Sequence, residues 1–343
     1  MKFKNLLKPF FATTQGVDVL RNLLKGLKRF PPRWTLHATA ALFVILGIGD
    51  VTLNAQGIMK SVSGTSPTAP STSPLSYELD AESSFFGRGA ANAGSKNVGD
   101  ITEITSSAKF VLSAQVRDTA LLRLGVGWLG YFFDPEPKAP IPDTLQAENL
   151  EVGADIQVSP AILARIEALP GIYSNARDIT SRDFNVPFEI AASYFVSADL
   201  ILLAGVYVDV NAGTPVFPVI GVHWKLSDKW VIEGMPPRPQ IQYNLSDSVT
   251  LFAGADLREE TFVVDNRFGT TRGIPQLNNA ILEYNEIRAG AGLTWKLYKN
   301  VTLDIEGGCT PYRRFYYPHV ADGFKVKSED LVPYLRVGLS ALF

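Results

Sequence analysis

Apolar and polar residues alternate along most of the chain after residue 76, and the last segment shows this most clearly. Counted back from Phe343 in steps of two, every residue as far as Leu331 is apolar. The opposite register is mixed and contains the charged residue Arg336. A period of two predicts a β-strand with two unlike faces. Both a soluble sandwich and a membrane barrel can end on such a strand, so the other segments have to distinguish them.

Segments of this kind follow one another to the end of the chain, and their number is about fourteen, within a range of roughly 12 to 16. Short turns such as Asp118-Thr119 alternate with long loops such as 134–143, 265–280 and 317–329. Two strands are expected between residues 228 and 247, with a break at Pro236–Pro239 because proline cannot donate to a β-ladder. Alternating turn lengths are typical of antiparallel up-and-down barrels of the outer membrane.

The composition of the two faces favours a membrane barrel over a sandwich. A membrane barrel presents its apolar register to lipid and its polar register to the lumen. The polar registers here combine glycine with charge, as at Gly254 beside Asp256 and at Gly290 beside Arg288. Aromatic residues gather near the strand ends, as expected for rings at a membrane boundary. The predicted fold class is therefore an all-β, antiparallel, up-and-down transmembrane β-barrel over residues 76–343.

A basic leader precedes the barrel. Residues 1–55 contain eight Lys or Arg and two Asp, a net charge of +6, which leaves −8 on the rest of the chain. The apolar run 36–49 is shorter than the roughly 20 residues of a membrane helix. The pattern predicts a signal peptide cleaved near Ala55, with an uncleaved N-terminal anchor as the alternative. Residues 56–75 are rich in Ser, Thr and Pro and are interpreted as a short disordered linker.

Composition also limits the chemistry. An acidic body argues against nucleic-acid binding. The single Cys309 excludes an internal disulfide, and the three histidines show no metal-ligand spacing. No cofactor motif is found: Gly87-Arg88-Gly89 lacks the Lys-Ser or Lys-Thr of a phosphate loop. Isolated histidines such as His223 are more simply structural than catalytic, so we do not expect an enzyme.

The region 76–343 resembles the uncharacterised outer-membrane β-barrel families of diderm bacteria, known as domains of unknown function. The resemblance rests on the segment 234–243, on Leu251–Leu257 and on the terminal strand. That strand is similar to the C-terminal signal read by the barrel-assembly machinery, which makes Leu335, Val337, Leu339 and Phe343 the candidate assembly signal. The resemblance implies an outer-membrane location, with outer-membrane lipid and the assembly machinery as partners.

Charged residues in the polar register are the candidate lumen-lining residues. They are Asp256, Arg258, Glu286, Arg288, Asp304, Glu306 and Arg336. Inward charges either satisfy one another in an ion-pair network, which we favour, or form a selectivity constriction. The leading hypothesis for function is a channel for passive or selective passage of small solutes. The alternative is a closed structural or adhesion barrel, and a barrel enzyme is the third possibility.

Overall fold

A computed structural model describes residues 75–320, 323–328 and 330–343. The predicted leader and nearly all of the predicted linker lie outside these residues. Within the described part, the chain forms seventeen strand segments in one sheet. They are β1 (Leu75–Ala93), β2 (Lys96–Arg117), β3 (Ala120–Phe133), β4 (Thr144–Ser159), β5 (Ile162–Ala168), β6 (Gly171–Ser174), β7 (Phe184–Asn185), β8 (Phe188–Phe195), β9 (Leu200–Val208), β10 (Val216–Lys225), β11 (Trp230–Glu233), β12 (Gln240–Asn244), β13 (Val249–Val263), β14 (Ile281–Tyr298), β15 (Val301–Tyr317), β16 (Phe324–Ser328) and β17 (Val332–Leu342).

Three pairs of segments are single strands with a local interruption. β5 and β6 both pair with β4 on either side of Pro170, and β7 and β8 continue each other across Pro187. β16 and β17 both pair with β15 on one side and β1 on the other. Proline interrupts the first two strands because it has no N–H to donate. The result is a closed, antiparallel barrel of 14 strands, which confirms the predicted fold and strand count.

Neighbours in the sheet are neighbours in the chain, and the last strand closes the barrel on the first. β17 pairs with β1 from Glu78↔Leu342 to Phe86↔Tyr334. Short turns join the strands at one end of the barrel, which we call the turn end. The long connections lie at the other end, the loop end, together with the two-residue turn between β1 and β2. The two strands predicted around the break at 236–239 are present as β11 and β12.

The two faces of the sheet are exposed in the reverse sense to those of a soluble protein. Leu122, Leu124 and Val126 on β3 are 50%, 56% and 53% exposed, whereas Arg288 on the inner face of β14 is fully buried. A soluble protein would bury the leucines and solvate the arginine. Closure also leaves few backbone groups unpaired, which is the condition for β-structure in lipid. The apolar outer face is therefore the membrane-facing surface.

The loop end differs from the sequence-based expectation in two places. Part of the predicted final loop, 317–329, is the strand β16. The predicted loop 265–280 contains a one-turn helix, α1 (Phe268–Thr271), and a 3₁₀ turn at Pro275–Leu277; a further 3₁₀ turn lies at Ser181–Asp183. Among the described residues, no helix is long and apolar enough to cross a membrane.

Candidate functional site

The interior of the barrel is the candidate site, and an ion network occupies one side of it. Glu82 on β1 is at its centre: it accepts Nη2 of Arg258 at 2.5 Å and Nη1 of Arg336 at 2.7 Å. Arg238 and Arg288 approach the same carboxylate to 3.9 and 4.0 Å. Arg258 lies on β13, several strands away from β1 around the wall. The network therefore spans the interior rather than following the wall.

Arg288 and Arg313 form the most buried part of this network. Arg288 donates Nε to Glu286 at 2.8 Å and Nη2 to Thr105 at 3.1 Å. Arg313 lies 2.7 Å from Glu103 and 3.3 Å from Glu286. Each guanidinium thus has carboxylates beside it, which offsets the cost of removing the charge from water. All four charged side chains are essentially inaccessible to solvent.

A second part of the network surrounds Glu306 on β15. One of its oxygens accepts Arg238 at 2.6 Å and Arg336 at 2.9 Å, and the other accepts the Tyr334 hydroxyl. Arg238 belongs to the proline-rich segment between β11 and β12. That segment is held in place by an interior ion pair as well as by backbone bonds to β13.

The structure brings six of the seven residues proposed for the lumen into this network. Asp304 is the exception, because its side chain accepts a hydrogen bond from Thr294 on the neighbouring strand. Sequence reasoning missed Glu82, Glu103, Arg238 and Arg313. The acids stand in the polar register of their strands, so alternation was the signal that could have found them. Arg238 stands in a non-strand segment, where register gives no direction.

A separate group of charges lines β2 to β5. Arg123 on β3 is buried and lies 3.0 Å from Glu151 and 3.5 Å from Glu167. Lys109 on β2 approaches Glu151 to 3.8 Å. Two of these side chains keep contact with solvent, since Lys109 is 39% and Glu167 is 23% exposed, whereas Arg123 and Glu151 are each 4% exposed. In the ion network, the side chain of Arg238 is 26% exposed.

An apolar core fills the interior at the loop end. Inward aromatic residues of several strands meet the long connections there. Its members include Tyr131, Phe133, Phe262, Tyr284, Phe315, Tyr317, Ile141, Phe268 and Leu277. Tyr131 and Tyr284 are in edge contact with a centroid separation of 4.7 Å. The core closes the interior on the side that holds the ion network.

Arg272 joins the two long connections above this core. It donates to the backbone carbonyls of Ala139 at 2.9 Å and Ile141 at 3.1 Å, and its guanidinium stacks 4.0 Å from the Phe268 ring. Burial lowers the pKa of this guanidinium, which stays protonated at physiological pH because its ordinary pKa is so high. Arg272 therefore holds the connections 134–143 and 265–280 together.

His223 and the terminal strand, which the sequence analysis also singled out, have defined contacts in the structure. Nδ1 of His223 lies 2.7 Å from Glu233 on the adjacent strand. No group of three metal-ligating side chains is present among the described residues. In the terminal strand, Leu335 is half exposed on the outer face and stands opposite Phe85 of β1. The backbone of Phe343 exchanges two hydrogen bonds of 2.8 Å with that of Tyr77.

A sequence model of the family described as "Domain of unknown function (DUF6268)" matches residues 156–340, more than half of the chain. The chain belongs to this family. The match begins in β4 and ends in β17, so it covers the short strands, the proline-rich segment and the terminal strand. No curated protein sequence matches the chain.

Solved structures with a similar fold include a monoaromatic hydrocarbon channel and an outer membrane channel. A mutant of the TodX monoaromatic hydrocarbon channel is 8% identical, with 82% of this chain and 93% of that chain covered and a TM-score of 0.41. An outer membrane channel from Pseudomonas putida F1 is 11% identical, with 79% and 96% covered and a TM-score of 0.42. LpxR from Salmonella typhimurium is 8% identical, with 78% and 100% covered and a TM-score of 0.37. At these identities the likeness concerns the fold alone.

The protein is an outer-membrane β-barrel. Its closed antiparallel sheet, its apolar outer face and its charged interior are the features of a β-barrel that crosses a membrane.

Proposed function

We propose that the protein is a channel for small solutes, with its passage on the β2–β12 side of the interior. The observation that carries this proposal is the unequal burial of interior charges. Arg288 and Arg313 in the ion network are 0% and 1% exposed, whereas Lys109 and Glu167 in the separate group are 39% and 23% exposed. Arg238, the network member that precedes β12, is 26% exposed. A charge that remains exposed inside a barrel lies beside a water-filled space, because an isolated dry charge costs far too much.

The side chains along this space have an acidic excess. Glu78, Asp80, Glu167 and Glu189 are partly exposed acids on the inner face, and Lys109 is a partly exposed base among them. Charges in a narrow lumen act at close range with little screening. We therefore propose that the channel prefers cations. Glu306, which sequence reasoning placed in the lumen, is held by two arginines and a tyrosine and is not expected to set this preference.

A second candidate function is a closed structural barrel, and the apolar core at the loop end favours it. That core removes an axial exit above the ion network. The channel hypothesis then requires solutes to leave the interior elsewhere at the loop end.

Planar bilayer recordings test the proposal through two opposite changes. Glu167→Gln removes an acid and should lower cation preference, whereas Lys109→Gln removes a base and should raise it. Glu148→Gln is the matched control, because Glu148 is exposed on the outer face of β4. The measurement is the reversal potential in a salt gradient.

A wild-type protein that gives no conductance would favour the closed barrel. A channel whose reversal potential is the same in both variants as in the control would show that the passage lies elsewhere.

A further inference from the structure

The wall of the barrel is incomplete between β10 and β13 toward the loop end. β11 and β12 contain four and five residues, whereas a tilted strand needs roughly 9 to 11 residues to cross a membrane. His223 of β10 pairs with Glu233 of β11, Glu233 pairs with Gln240 of β12, and Gln240 pairs with Gly254 of β13. Gly254 and His223 are therefore at the same level of the wall. Above this level, no strand continues between β10 and β13.

β10 has a free edge there. At the two ends of the β9–β10 ladder, the backbone N–H of Lys225 donates to the Asp199 carbonyl at 2.8 Å, and that of Asp209 donates to the Pro215 carbonyl at 3.0 Å. Alternation in an antiparallel ladder then turns the backbone groups of residues 216, 218 and 220 away from β9. Position 218 is a proline, which has no N–H to leave unpaired, and proline is characteristic of edge strands. Among the described residues, no backbone hydrogen bond joins this edge to another strand.

β13 has a matching free edge. Its last bond to the proline-rich segment is Leu257 N–Pro237 O at 2.9 Å. The next contact on that side is Asn175 N–Val263 O at 3.1 Å, where β13 meets the end of β6. Between these two contacts, the backbone groups of Glu259 and Thr261 on this edge have no backbone hydrogen-bond partner among the described residues. We call the region between Val216–Ile220 and Leu257–Thr261 the seam.

The two edges overlap instead of meeting side by side. Thr261 stands in the outward register of β13, yet its hydroxyl donates to Asp209 at 2.6 Å and accepts Asn185 at 3.2 Å. Asn185 of β7 and Asp209, which directly follows β9, are buried residues in the inward register. The backbone N–H of Gly213, in the β9–β10 connection, reaches outward-facing Glu283 of β14 at 2.9 Å. The β9–β10 layer therefore lies outside the edge of β13 and β14.

Space remains beside the overlap. A polar cavity of about 300 Å³ lies between the β9–β10 connection and the outer face of β14 to β16. Its lining includes Gly213, Thr214, Glu283, Arg314 and Tyr316. Within the seam, Phe217 is 54% exposed although it stands in the inward register, and Ile220 at the free edge is 76% exposed. The side chain of Glu259 is exposed on the facing strand.

Unpaired backbone in lipid costs several kcal/mol for each group, so irregular wall is tolerated at membrane depth only where it lines protein or a water-filled cavity. We propose that the seam is a lateral passage between the barrel interior and the outer leaflet, used by small cationic amphipathic molecules. The apolar wall of Phe217 and Ile220 accepts the apolar body, and the Glu259 carboxylate accepts the cationic group. The proposal rests on the channel function and adds a lateral exit for amphipathic molecules to the passage on the β2–β12 side.

Cross-linking the seam tests the passage. Cys309 is first replaced by alanine; Ile220→Cys and Leu257→Cys are then joined by bismaleimides of increasing length. The control pair is Ile220→Cys with Ala204→Cys, which are directly opposite on β10 and β9, so the same reagent leaves the seam open. The readouts are entry of rhodamine 6G, a cationic amphipathic dye, into efflux-deficient cells, and salt conductance in bilayers.

Dye entry should fall to the level of cells without the protein when the seam is cross-linked, and should persist with the control pair. Salt conductance should persist with both the seam cross-link and the control cross-link, because ions can use the passage on the β2–β12 side. Dye entry that is unchanged by the seam cross-link overturns the proposal. So does a wild-type protein that conducts salt but admits no dye.

A label at Phe217 tests the seam independently of transport. A spin label at Phe217→Cys should be relaxed by lipid-dissolved oxygen as strongly as one at Ile220→Cys. Ser193→Cys is the control, since Ser193 is a fully buried inward residue of β8. If neither salt nor dye passes, the channel function fails, and oxygen access at residue 217 decides the seam alone. Access as low as at residue 193 would mean that the seam is closed.

Discussion

Removing Arg288 should destabilise the barrel far more than removing an exposed arginine. In the structure Arg288 is fully buried; it contacts Glu286 at 2.7 Å and Ser84 at 3.3 Å, and stacks 4.6 Å from the Phe86 ring. Arg288→Met fills a similar volume but leaves Glu286 with Arg313 alone, at 3.3 Å. Breaking one partner of a buried ion pair costs about 3–5 kcal/mol. That loss changes the ratio of folded to unfolded protein by roughly a hundredfold or more.

Two further variants separate the charge from the general effect of mutation. Arg288→Met combined with Glu286→Leu removes both partners, and replacing a buried pair by apolar residues is often neutral or stabilising. Arg177→Met is the exposed control: Arg177 lies 2.7 Å from Asp143, with the side chains 58% and 34% exposed. Such a surface pair is worth about 0–1 kcal/mol.

The assay is urea-induced unfolding of protein folded into lipid vesicles, followed by tryptophan fluorescence and by mobility on an unheated denaturing gel. We expect a large loss for the single variant, recovery of at least half of it in the double variant, and a small change for the control. An Arg288→Met protein as stable as Arg177→Met would refute the view that the network is a buried, mutually dependent set of charges.

Other predictions concern assembly, packing and processing. Phe343→Asp puts a charge at the end of the strand that closes the barrel, so the outer-membrane yield measured by fractionation should fall while synthesis and export continue. Gly292→Ala should lower the yield of heat-modifiable protein because a Cβ there would lie 2.2 Å from the Ile305 carbonyl oxygen, whereas Gly307→Ala should have little effect because the nearest atom is 3.8 Å away; equal yields would contradict this packing. Mass spectrometry should find the mature N-terminus near Gln56, and retention of residues 1–50 would show an uncleaved leader.

The sequence by itself determined the class of fold and the direction of most strand residues. A strand has a period of two, so one apolar register along a segment settles which side chains face lipid once the barrel is accepted. For that reason the residues on β13, β14 and β17 were assigned to the interior by counting alone. Short polar turns located several of the breaks, and the prolines at 236–239 located the one between β11 and β12.

Only the tertiary structure decided which interior charges meet. Glu82 contacts Arg258 and Arg336 because closure brings β1, β13 and β17 around one space. Pairing across a barrel depends on strand stagger and side-chain reach, which no local pattern contains. Asp304, in the same register as its neighbours, instead bonds to Thr294.

The seam was likewise invisible in the sequence. The sequence shows the proline-rich interruption that makes β11 and β12 short. Whether short strands leave a gap in the wall depends on where the edges of β10 and β13 lie. The contact of Thr261 with Asp209 joins residues that are 52 positions apart. Alternation specifies the face on which a side chain stands, because that is a property of the local backbone. Whether two edges pair, overlap or part is a property of the closed sheet, because it depends on the position of every strand between them.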